Sequence, residues 1–139
     1  MESIIEFIDP ADDYSQVSAR FMLEDAMTIR PKLAGAMGVG LYDLKMENAT
    51  IIRKCARSIY VSTNHFRIGD AQIDEYLDLL RSEIDEFRLL FVDWVESFDK
   101  WDYIIDRWGL FNPPGVGPHD KDPDDDIPFD PNDMFDDFL

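Results

Sequence analysis

Histidine and cysteine are the residues most easily recruited for chemistry at neutral pH, and this 139-residue chain holds two of the first and one of the second. None of the three has a partner at a productive spacing. His65 falls near the C-terminal end of an expected helix, where contact with the negative end of the helix dipole accounts for it. His119 falls in a proline-rich stretch. Cys55 lies on an apolar helical face, where a thiol behaves as a small hydrophobe, and no serine stands in a nucleophile elbow. Metal chemistry is the enzyme-class alternative, but the Glu-x-x-His pairs of carboxylate-bridged bundles are missing. Glu24, Asp25 and Glu47, within or beside apolar faces, are what a small metal-binding bundle would use. Asp120, Asp122, Asp124 and Asp126 alternate as calcium ligands would, without the loop glycine and closing glutamate of an EF-hand. The glycines of 31–40 do not have the spacing of a phosphate-binding loop. The sequence therefore points to a protein that is not an enzyme and carries neither cofactor nor metal.

Recognition is the chemistry that residues 112–139 do encode. They contain nine acids, one base and six of the eight prolines, with no helical or strand period, so alone they should be extended or disordered. Ile127, Phe129, Met134, Phe135, Phe138 and Leu139 sit among the aspartates as apolar anchors. Asp124-Asp125-Asp126-Ile127-Pro128-Phe129 resembles the acidic tip of bacterial single-stranded-DNA-binding proteins, where aspartates precede a terminal Ile-Pro-Phe. That resemblance implies a Phe ring seated in a partner's pocket beside a basic residue. It covers six residues and departs at the end, because ten residues follow Phe129 here. The last six residues, 134–139, form a second anchor that would offer Phe138 or Leu139 to a basic pocket. The expected partner-binding residues are Asp124, Asp125, Asp126, Ile127, Phe129, Phe135, Phe138 and Leu139.

The partner class follows from charge. The net charge is −17, which disfavours direct contact with nucleic acid phosphates and favours a basic protein surface. An acidic decoy that imitates nucleic acid and occupies a basic groove is the alternative. The charge is uneven: residues 41–68 hold two acids and five bases, whereas 69–111 hold twelve acids and four bases. No apolar run reaches the roughly 18 to 20 residues of a membrane span. Acids occupy the first residues where a secretory signal would carry Lys or Arg, so a cytoplasmic protein is expected.

These residues have to be positioned by helices, and the expected fold is all-α, a helical bundle over 1–111 followed by the irregular acidic tail over 112–139. Asp9-Pro10 reads as a helix start. Met22, Ala26, Ile29 and Leu33 give the first helix its face, and Pro31 should end it near Arg30 or kink it. The glycine-rich residues up to Gly40 then read as a connection. A second helix from about Leu41 to Arg67 buries Leu44, Ile51, Ile52, Cys55, Ala56, Ile59, Thr63 and Phe66. Gly69 and Asp70 read as cap and new start, making helices two and three a long antiparallel pair. From Ile73 to Trp108 apolar residues recur at alternating spacings of four and three, which predicts one rod of about 54 Å. Leu79, Leu90, Val95 and Ile104 widen its stripe. Phe98, Trp101 and Trp108 at its far end would need cover from a second copy or from the tail, and a homodimer completing a four-helix bundle is expected.

Overall fold

The computed structural model describes residues 13–66 and 71–122. The expected start at Asp9-Pro10, the cap at Gly69-Asp70 and the tail anchors from Asp124 onward lie outside them. Three α-helices and no strand are found among the described residues, so the protein is an all-α bundle: α1 is Asp13–Gly38, α2 is Tyr42–Ser62 and α3 is Ala71–Glu96. A short 3₁₀ turn over Thr63–His65 extends α2, and residues 97–122 form an irregular loop.

α1 and α2 are the tightly packed pair. α1 offers Ser15, Ser18, Ala19, Met22 and Ala36, and α2 offers Ala49, Ile52, Cys55, Ala56 and Ile59. Both rows follow the three-and-four spacing of a single helical face, and their small side chains let the backbones approach. At the α3 end of the bundle Ala19, Met22, Ile59, Phe66 and Leu77 form the core, with Ile73, Tyr76, Leu80 and Ile84 packed against it.

Pro31 does not end α1, which continues to Gly38. Tertiary contacts override the local signal. Ala36 is fully buried at 0% exposure, and the ammonium of Lys45 donates to the Ala36 carbonyl at 2.9 Å, placing a cation at the negative end of the helix. The glycine connection is consequently shorter than its sequence suggests. Its close approach is real at Gly40, where a Cβ would lie 2.6 Å from Asp102 Oδ2.

The expected rod from Ile73 to Trp108 is broken at Glu96. Ser97 and Asp99 supply the reason, since short polar side chains compete with the helix for backbone groups. The Ser97 hydroxyl donates to the Trp94 carbonyl, and the Asp99 carboxylate accepts the Trp101 amide at 2.9 Å. The chain then turns back over the start of α2, where the Tyr42 amide donates to the Asp102 carbonyl at 2.8 Å. This return buries Phe98 and Ile105, two seam residues that keep their heptad spacing but sit in a loop. Other members of the expected stripe face solvent: Leu79, Leu90, Ile104, Trp101 and Trp108 are exposed, as is Leu44 on α2. The bundle survives the loss of the rod because its tight pair is α1 with α2.

Candidate functional site: an arginine-rimmed groove between two helices

α2 and α3 run antiparallel and are pinned at both ends. At one end Arg81 of α3 donates from Nε to the Thr63 hydroxyl at 2.9 Å and from Nη2 to the Thr63 carbonyl at 3.4 Å. At the other, Lys45 of α2 lies 5.4 Å from the centre of the Phe98 ring, just beyond the end of α3, a cation–π distance. Between these pins the helices approach each other at few points. Ala56 is too short to fill the space opposite Phe87 and Phe91, and a cavity of about 410 Å³ opens there.

Its walls are apolar and its rim is charged. Ala56, Tyr60 and Val61 line the α2 side, and Ile84, Phe87, Phe91 and Val92 the α3 side. Arg53 and Arg57, one turn apart on α2, face Arg88 on α3 across the opening, with Asp85 the single acid. All three arginines are solvent-exposed. Along α3 the rings continue as a ladder, with Phe87, Phe91, Trp94 and Phe98 spaced 6.0, 5.8 and 4.8 Å centre to centre. The last pair meets edge to face, a favoured arrangement of ring quadrupoles. Apolar walls suit apolar or aromatic groups, and the guanidiniums of the rim suit carboxylates.

The loop over 97–122 is organised on Asp106. Its carboxylate accepts the amides of Trp108, Leu110 and Phe111 at 3.0, 3.0 and 2.8 Å, and its backbone exchanges two hydrogen bonds with the Asn112 side chain. Hydrogen bonds from the Phe111, Trp108 and Leu110 amides hold the Asp106 carboxyl below the ordinary aspartate range, against a smaller opposing effect of burial. Gly109 takes a positive φ of 74° in this turn, a backbone state that favours glycine. Arg107 closes the loop by donating to the carbonyls of Pro118 at 3.1 Å and Asp120 at 2.7 Å. A second cavity of about 400 Å³ lies where Asp106, Trp108, Leu110 and Phe111 face Asp43 and Glu47 of α2. Asp43 Oδ1 is buried there and accepts no hydrogen bond among the described residues.

The residues singled out by sequence are placed as follows. Asp124, Asp125, Asp126, Ile127, Phe129, Phe135, Phe138 and Leu139 lie outside the described residues. Phe98 is buried, whereas Trp101 and Trp108 are 90% and 96% exposed on the loop. Cys55 is buried, and burial together with the neighbouring Asp25 carboxylate pushes its thiol pKa up, which disfavours the nucleophilic thiolate. Among the described residues no group of three His, Cys, Asp or Glu side chains is placed to hold a metal, and no helix is long and apolar enough to cross a membrane. The groove itself depends on two residues not marked by sequence. Arg88 joins Arg53 and Arg57 only through the antiparallel register, and Lys45 is visible as nothing more than one base near a helix start. The i, i+4 pair of Arg53 and Arg57 beside the small Ala56 was the readable signal. No family model matches the chain, and no curated protein or solved structure shows significant similarity to it.

Proposed function

We propose that the protein is a non-enzymatic protein–protein interaction module whose acidic tail engages a basic protein surface. The carrying observation is the pattern of residues 123–139, in which seven aspartates and no Lys or Arg surround six apolar anchors. Asp124, Asp125 and Asp126 supply long-range attraction, while Ile127, Phe129, Phe135, Phe138 and Leu139 supply the desolvated contacts that give most of the affinity. A cytoplasmic location fits a chain whose one cysteine is buried and unpaired. Trp101, Trp108 and Leu110 leave an apolar surface on the loop that supports pairing of two copies as a homodimer. Capture of a basic partner by the full chain, read against Phe135→Ala with Phe138→Ala, tests the anchored tail. Binding should fall at least tenfold with these two changes; binding that ignores them and yields only to salt would overturn the reading.

One observation favours a second reading. α3 displays Glu75, Asp78, Glu83, Asp85, Glu86, Asp93 and Glu96 to solvent, a run of carboxylates over roughly 32 Å of helix. An acidic decoy for the groove of a nucleic-acid-binding protein would use this surface, with affinity that is steeply salt-dependent and indifferent to the tail phenylalanines.

A further inference from the structure

The groove between α2 and α3 has no occupant among the described residues, although its chemistry specifies one. We propose that residues 134–139 of the same molecule lie in it, with the rings of Phe135 and Phe138 against Ala56, Phe87 and Phe91, and Asp136 and Asp137 against Arg57 and Arg88. This rests on the reading of the tail as an anchored acidic ligand and gives that ligand a seat within its own chain.

Three observations select this occupant. The first is charge: the rim carries three arginines and one aspartate, none of the arginines is bridged to a carboxylate among the described residues, and residues 123–139 hold seven aspartates and no Lys or Arg. The second is length. From Arg53 to Val61 along α2, and from Ile84 to Val92 along α3, the groove runs about 12 Å. Phe135 and Phe138, three residues apart, fall on the same face of a polyproline II strand of three residues per turn and are separated there by about 9 Å. Both rings therefore fit one groove, with two carboxylates between them at the height of the rim. The third is reach. Arg107 holds the Asp120 carbonyl at 2.7 Å, and the loop it closes lies on the first turns of α2, against Asp43 and Glu47. Asp43 to Arg57 is about 21 Å of helix, while the fifteen residues from Asp120 to Phe135 can extend to roughly 50 Å.

A tether this short places the tail at an effective concentration on the order of millimolar, so the groove fills from within before it fills from outside. An external basic surface and the groove then compete for the same two rings, and the free protein keeps its anchors out of water.

Photo-cross-linking of the full chain tests this directly. With p-benzoylphenylalanine in place of Phe138, irradiation at low micromolar concentration should give cross-links within one chain to residues 53–61 or 84–92. Arg57→Glu with Arg88→Glu should cut their yield at least fivefold. Should that pair of changes abolish the helical circular dichroism, Asp136→Lys with Asp137→Lys makes the same measurement from the tail side. Cross-links found only between chains would assign the groove to a second copy's tail. Cross-links elsewhere, or a yield indifferent to both charge reversals, would likewise overturn the proposal. No other protein takes part in this experiment, so its failure is separable from failure of partner capture. Groove cross-links without capture leave the docking standing, and capture without them leaves only the interaction reading.

Discussion

Replacing Thr63 by Val should loosen the end of the α2–α3 pair that Arg81 pins. Thr63 is 1% exposed, and its hydroxyl donates to the Tyr60 carbonyl at 2.6 Å and accepts from Arg81 Nε at 2.9 Å. Valine keeps the branched shape and removes only the polar atom, so packing changes little. A neutral hydrogen bond contributes about 0.5 to 1.5 kcal/mol and one to a charged group about 1.5 to 3. Arg81 is 30% exposed and also bridges Asp78 at 3.0 Å, so water and Asp78 recover part of the second contribution. A net loss of about 1.5 to 3 kcal/mol follows. Urea unfolding followed by circular dichroism measures it as a lowered midpoint at unchanged slope. Combined with Arg81→Met in a double-mutant cycle, the pair should show a coupling of about 1 kcal/mol. A loss below about 0.5 kcal/mol for Thr63→Val, or additivity within about 0.3 kcal/mol in the cycle, would refute the pin.

Three further expectations concern other parts of the molecule. Met22, 1% exposed in the core shared by all three helices, should cost about 2 to 5 kcal/mol on truncation to Ala, measured by the same unfolding curves. The Asp106 carboxyl, held low chiefly by the Phe111 amide, binds a proton less readily folded than unfolded. Its contribution to stability is therefore present above the ordinary aspartate value of about 3.9 and disappears as pH falls through the lowered folded value. NMR titration of the Trp108, Leu110 and Phe111 amides should show a transition below about pH 3.9 that Asp106→Asn removes. The raised thiol of Cys55 should resist iodoacetamide at pH 7.5 in the native protein and react promptly in urea; equal rates in the two conditions would contradict its burial.

How legible all this is in the sequence differs from element to element. The rows Ala19 and Met22 on α1, and Ala49, Ile52, Cys55, Ala56, Ile59 and Thr63 on the second helix, can be read from spacing alone because burial on a helix has a period. The break after Glu96 cannot, since the apolar spacing continues through Phe98 and Ile105 without a slip. Hydrophobic periodicity records which residues are buried and not what backbone carries them, and the local signal of Ser97 and Asp99 was weaker than eleven well-spaced apolar residues. Pro31 misleads in the opposite sense: its steric effect is local, while the forces holding α1 across it come from Ala36 and Lys45. The groove is a property of the distance between α2 and α3, and no spacing within one helix encodes that distance.

The bond from the Tyr42 amide to the Asp102 carbonyl joins positions sixty residues apart, and this separation orders the assembly of the molecule. Closing a segment of that length costs about 3.6 kcal/mol of chain entropy beyond the constant term, so the contact gains stability only after the intervening helices have shortened the path. During synthesis, moreover, the amino end of α2 leaves the ribosome long before its acceptor exists. The helical pair must hold together unaided until the ribosome has passed Asp102, which makes the return loop a latch set last.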